Sequence, residues 1–424
     1  MVKSAVDLRT YLDRNYPGIA TRVPNSVVTP LNVVWRGYQR LGYFRYALIG
    51  LIMASLPYLV NHGIIPYLHG SYGNTILVQT GYTILLAIGL NVVVGLAGLL
   101  DLGYVAFFML GAYTTAMMTA SGGPTQFHFV EWPVWAALPF ALLVAMAAGV
   151  AIGLPTLRLR GDYLAIVTLG FHEMVILVMT NLKQTNGPRG IASIPGPAIH
   201  NFFGIKDFDF GVKAILSPEY YWWWLLIPAI LLAVLMVRHL ENSRVGRYWT
   251  AIREDEVAAA AMGVPVTKMK VLAFVIGAST SGVAGWIYAG FIGYVAPNSF
   301  PLLQSILVLA AITIGGLGSI AGAVLGGILI VAVPEMIRTA AGGHTVFGFD
   351  PVTGRVAIFG ALLIVIMIFR PGGLLAARRR RTELTEPGAD KSIGVHDEVM
   401  LSTTAAEEDL RDVQKTQPPG ATDE

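Results

Sequence analysis

The densest group of chemically capable side chains lies in AIREDEVAAAAMG, residues 251–263, where Arg253, Glu254, Asp255 and Glu256 follow one another. No nucleophile stands beside a base there, so the available chemistry is electrostatic contact rather than bond making. With Glu256 as position i of a helix, Ala259 and Ala260 fall at i+3 and i+4 and Gly263 at i+7. These four share one nearly bare face that a partner surface can approach closely. Arg253, Glu254 and Asp255 lie on the other side, placed to pair with partner charges. Gly263 followed by Pro265 reads as a helix stop. The plainer alternative is a solvated loop helix with no partner.

Two more carboxylates stand inside apolar sequence: Glu173 in TLGFHEMVIL, beside His172, and Asp101 in LLDLG. A carboxylate at membrane depth is costly, so each is expected to face the bundle interior or water. Glu173 then either shapes a solute path or makes a structural hydrogen bond to a neighbouring helix. His172 reads as a packing histidine. No second histidine or carboxylate stands at metal-ligand spacing, so no metal is expected. No G-x-x-x-x-G-K-[ST] pattern is present to cradle nucleotide phosphates. Gly316-x-Gly318 with Gly322 lacks the strand and spacing of a dinucleotide fingerprint. Arg378 to Arg381 reads as an inner-leaflet anchor rather than a nucleic-acid groove. The chain is expected to be no enzyme, to carry no cofactor and to bind no nucleic acid.

The elements that position these groups are set by composition. Apolar residues make up 54% of the chain and charged ones 13%, with 47 glycines and no cysteine. That balance implies an all-α, polytopic transmembrane bundle, and the absence of cysteine excludes disulfides and thiolate chemistry. Runs long enough to cross hydrocarbon fall near 44–61, 74–94, 104–120, 132–155, 162–182, 220–240, 269–293, 303–317, 319–337 and 355–369. The eighth and ninth are short and Gly-rich, and read as half-spans or one re-entrant hairpin. Residues 1–43 form a cytoplasmic extension with no cleavable leader, and 376–424 a disordered tail rich in charge, Pro, Thr and Gly. Arg36, Arg40, Arg45, Arg158, Arg160, Arg238, Arg244, Arg247, Lys268, Lys270 and Arg370 collect on one side, which places both termini in the cytoplasm. Gly95 and Gly98 in the first half, and Gly316 and Gly318 in the second, punctuate apolar sequence. Broken backbone at membrane depth is buried in protein or lines a cavity, so with Asp101 and Glu173 these are candidates for a translocation path. Close helix packing through small residues is the alternative.

Long stretches then carry a resemblance. LNVVVGLAGLLDLGYVAFFMLGAY (90–113), LRLRGDYLAIVTLGF (157–171), TNGPRGI (185–191), GRYWTAIREDEVAAAAMGV (246–264), FVIGASTSGVAGWIYAGFIGYVAPNSF (274–300), IGGLGSIAGAVLGG (314–327) and IFRPGGLL (368–375) occur in one order. In them the chain resembles the LivM-type inner-membrane permeases of branched-chain amino-acid ABC importers over residues 84 to 375. The resemblance implies a permease domain over 44–375 that pairs with a second, LivH-like permease. It also implies two ABC ATPase subunits bound to the pair, a periplasmic amino-acid-binding protein that delivers solute, and surrounding membrane lipid. It makes 251–263 similar to the coupling helix of such importers. Glu256, Ala258, Ala259 and Gly263 approximate its E-A-A…G pattern, and Val257 interrupts it. Related permeases move urea or short amides, and an ion-coupled secondary transporter is the rival class.

Overall fold

The computed structural model of the chain describes residues 70–120, 132–156, 162–196, 218–340 and 373–375, with isolated positions at 50, 53, 55, 56, 59, 60, 360, 364 and 368. The expected spans at 44–61 and 355–369, the 1–43 extension and the 376–424 tail otherwise fall outside the described residues.

The described chain is helical almost throughout. Helix α1, Gly70–Leu90, runs on into a π-helical turn, Asn91–Leu96. It is followed by α2, Val105–Thr119, α3, Val134–Thr156, and α4, Asp162–Asn181. Then come α5, Pro218–Glu241, and two short helices, α6, Arg244–Glu254, and α7, Glu256–Ala261. The series ends with α8, Val266–Ile292, α9, Leu302–Gly315, and α10, Ile320–Ala340. Among the described residues, six helical stretches are long and apolar enough to cross a membrane. Helix α8, at 27 residues, extends about 40 Å at about 1.5 Å per residue, more than a hydrocarbon core of about 30 Å. The Gly-rich pair expected as half-spans or a re-entrant hairpin is an antiparallel pair, α9 of 14 residues and α10 of 21, turning at 316–319.

Helices α1 and α2 are the most enclosed of the described elements, with α8 packed beside them. Small residues let α8 sit against two neighbours at once. A Cβ on Gly282 would lie 2.7 Å from the Ala145 Cβ and 2.9 Å from the Ala141 carbonyl oxygen of α3. A Cβ on Gly111 of α2 would lie 2.5 Å from the Gly282 carbonyl oxygen. In lipid the helices gain little from burying apolar surface, so such backbone contact and interhelical hydrogen bonds carry the association. The Tyr104 hydroxyl donates to the Gly277 carbonyl at 2.8 Å, and Trp286 Nε1 donates to the Val134 carbonyl at 2.6 Å. A ring cluster of Tyr82, Phe108, Tyr288, Phe300 and Tyr113 fills the space between α1, α2, α8 and the 297–300 turn. At one end of the bundle, Ile191–Ala192 pairs antiparallel with Tyr294–Val295.

Candidate functional site

At the opposite end, α6 and α7 close the bundle. Ser243 caps α6, accepting from the Val245 amide at 3.1 Å. Gly246, Trp249 and Ile252, spaced at three residues, are the buried face of α6. Trp249 Nε1 donates to the Met269 carbonyl at 2.8 Å and fastens α6 to the start of α8.

The expected single helix over 251–263 is two helices. Asp255 is extended, at φ −152° and ψ 114°, and its Oδ1 accepts from the amides of Val257 at 2.8 Å and Ala258 at 3.0 Å. An aspartate two residues before free amides competes with helix continuation by capping a new one, which is why the chain breaks there. Helix α7 ends at Gly263, whose φ of 81° is left-handed, with the Val264 amide donating to the Ala259 carbonyl at 3.1 Å.

The break also redistributes the faces. Glu256 turns toward α8, where its Oε1 accepts from Lys270 Nζ at 2.8 Å, and Ala259 is buried. Half of the face expected to be bare therefore holds α7 to its own bundle. The outward surface is Ala260 and Gly263 together with Val257, 59% exposed, and Met262, 85% exposed. Sequence reasoning missed Val257 and Met262 because it carried the period of α6 through Asp255. Lys270 gave no signal, since fourteen positions separate it from Glu256.

Arg253, expected to pair with partner charges, remains an exposed residue but lays its side chain on the end of α1. Its Nη1 donates to the Gly95 carbonyl at 2.6 Å, on the π-helical turn that ends α1. Carbonyls in such a turn are displaced from the regular ladder and available to outside donors. The arginine stem lies over Gly98, where a Cβ would be 2.7 Å from Arg253 Cγ and the φ of 73° suits only glycine. Asn91, one turn before Gly95, accepts from the Gly318 amide at 2.8 Å. A Cβ on Gly95 would lie 2.5 Å from that same amide nitrogen. The Leu374 and Leu375 amides donate to the Ile314 and Gly315 carbonyls, both at 2.8 Å. The four glycines Gly95, Gly98, Gly316 and Gly318 thus converge on one junction of α1, α6, the α9–α10 turn and the 373–375 segment. Gly95 packs there against the Gly318 backbone, and Gly98 against the Arg253 side chain.

Asp101 belongs to the adjoining 97–104 loop, outside the spanning helices. It is buried, and its Oδ1 accepts from the Gly103 amide at 2.9 Å. Burial pushes its carboxyl up to about 7, against the pull of the Gly103 amide and the Thr168 hydroxyl. The same loop is tied to α4 through Leu102 N–H to Thr168 Oγ1, 3.0 Å, and the first residue of α2 is tied to α9 through Val105 N–H to Ser305 Oγ, 3.2 Å. Glu173 is not at the junction. It was expected to face the bundle interior or water, and it lies exposed on the outer side of α4, while His172 beside it is fully buried. Successive residues on a helix point about 100° apart, so the two cannot share a direction. Among the described residues no group of three His, Cys, Asp or Glu could hold a metal ion.

Comparison with known proteins agrees with the architecture. Residues 74–369 match the family described as branched-chain amino acid transport system / permease component. The chain is 37% identical to the high-affinity branched-chain amino acid transport system permease protein LivM of Salmonella typhimurium, over 79% of this chain and 75% of that protein. The Escherichia coli LivM is also 37% identical, over 82% and 77%. The LivH permease protein of the Salmonella system is 28% identical, over 69% of this chain and 90% of its own length. No solved structure matches the chain. The chain is a multi-pass helical membrane protein, and it belongs to the branched-chain amino acid transport permease family.

Proposed function

We propose that this chain is one of two unlike permease subunits in an ATP-driven importer of leucine, isoleucine and valine in a bacterial inner membrane. A periplasmic binding protein presents the solute, and two ATPases dock on the α6–α7 end. The observation that carries this reading is an apolar pair, Val257 and Met262, held out from the bundle at α7, with one clamp on α7 and a second on the preceding helix α6. One clamp is Glu256 to Lys270 of α8, and the other is Arg253 to Gly95 at the end of α1. Two large apolar side chains left exposed on a short capped helix outside the spans favour an interaction site over a solvated face.

The clamps give the docking helix mechanical use. A load on Val257 and Met262 passes through Glu256–Lys270 into α8. Through Arg253 it passes into the π-helical turn of α1, then through Asn91 to Gly318 and the α9–α10 turn. Each link is a polar contact with few alternatives, so α1, α8 and α9–α10 shift together and re-aim the path between the two permeases. The helix moves groups and makes no bonds.

Uptake by the reconstituted importer, with both permeases, both ATPases and the binding protein, tests the function. Labelled leucine is expected to accumulate only with ATP, with isoleucine and valine competing and urea and short amides not. Accumulation by this chain alone, or displacement by urea, overturns the reading. The native chain has no cysteine, so single introduced ones report sidedness. Asn298→Cys, exposed at the far end, is expected to react with an impermeant maleimide in intact cells, and Asp255→Cys only after lysis. The reverse pattern sinks the proposed orientation.

A further inference from the structure

Helix α4 presents two unlike faces. Leu164, Ala165, Thr168, His172 and Val175 are buried against the bundle. On the other side lie Tyr163, Ile166, Gly170, Glu173 and Leu177, at the i, i+3, i+7 spacing of a single face, with Ile166 65% and Leu177 62% exposed. Glu173 sits just past the midpoint of this 20-residue helix, at the depth farthest from either interface. Among the described residues no hydrogen bond or ion pair reaches its carboxylate.

Lipid does not suit that face. Hydrocarbon offers a carboxylate neither water nor a donor, and ionisable groups within spans face protein or a water-filled seam. The comparison with other outer faces is direct. Helix α3 exposes Phe140, Leu143 and Leu154, and α5 exposes Leu232 and Leu235, with no acid among them, as acyl chains require. One turn from Glu173, Gly170 has nothing within 4 Å of where a Cβ would stand, so another helix can come close.

A second copy of this chain does not suit it either. The two-fold axis of a membrane dimer runs along the membrane normal, so identical residues share one depth. Packing α4 on its own copy would set Glu173 against Glu173 with no counter-charge. A different subunit with a donor or cation at that level removes the conflict.

Resting on the two-permease reading above, we infer that the Tyr163–Ile166–Gly170–Glu173–Leu177 face of α4 is the seam with the second, non-identical permease. Glu173 there meets a hydrogen-bond donor or cation of that subunit.

The test uses the full importer, purified through a tag on this chain. A photo-crosslinking residue at Leu177 is expected to give an adduct with the second permease, and one at Leu232 of α5 none. Gly170→Trp is expected to lower recovery of the second permease at least about tenfold, as loss of a central interface contact does, while the chain's own abundance in the membrane stays unchanged. Glu173→Lys is expected to do the same, and Leu232→Trp to leave recovery intact. An adduct at Leu177 with lipid alone or with a second copy overturns the inference, as does full recovery with Gly170→Trp. If the untagged second permease fails to co-purify even with the wild-type chain, the two-permease reading itself fails.

Discussion

Arg253→Ala is expected to separate ATP hydrolysis from transport. The variant removes a charge-assisted hydrogen bond to the Gly95 carbonyl, 2.6 Å long, and the stem that covers Gly98. Docking should survive, because Val257 and Met262 stay exposed and Glu256 still pairs with Lys270 at 2.8 Å. What is lost is the link from the docking helix to α1. Hydrogen bonds to charged groups contribute about 1.5–3 kcal/mol, and each 1.4 kcal/mol or so is a factor of ten in an equilibrium. Leucine taken up per ATP hydrolysed should therefore fall about tenfold or more. Arg253→Lys should recover part of it, since its stem still covers Gly98 and its ammonium can still donate to the carbonyl, but without the fixed geometry of the guanidinium. The measurement is the ratio of uptake to phosphate release in proteoliposomes. A merely structural role for Arg253 would lower both together, and an unchanged ratio would show that force does not pass this way.

The second large effect concerns folding. Gly282→Leu places a branched side chain where even its first carbon would lie 2.7 Å from the Ala145 Cβ and 2.9 Å from the Ala141 carbonyl oxygen of α3. The neighbours are an alanine methyl and main chain, neither of which has a rotamer to escape into. Helices α3 and α8 must move apart, and the Gly111 contact of α2 opens with them. Overpacking a filled core costs about 1–3 kcal/mol or more, and here three helices share the strain. The folded fraction recovered in detergent should fall severalfold, with a lower thermal midpoint in the isolated chain. Gly170→Leu is the control, because its surroundings are open and it should melt like wild type. Equal melting of both variants would mean that close contact through Gly282 does not hold the bundle.

Much of the architecture was legible because the solvent imposes it. A span needs about twenty apolar residues with every backbone group bonded internally, so runs such as 132–155 and 269–293 announced α3 and α8 within a few residues. The same solvent hides the faces. Lipid and packed protein both accept Leu, Ile and Val, so apolar periodicity separates inside from outside poorly. Glu173 illustrates this: its type marked it as costly at that depth, but only the rotation of α4 against the bundle placed it on the outside, with His172 within.

The docking segment divides in the same way. Composition determined that 251–263 is polar, small-faced and outside the spans, because charged residues of that density do not enter hydrocarbon. Asp255 breaks the helix locally, but tertiary structure decided that Glu256 and Arg253 bond to the bundle and that Val257 and Met262 turn outward. Those outcomes depend on partners far along the chain, Lys270, Gly95 and through Asn91 also Gly318. A local pattern fixes which residues share a helix face, whereas the direction of that face is fixed by whichever distant donors and carbonyls the fold brings within about 3 Å.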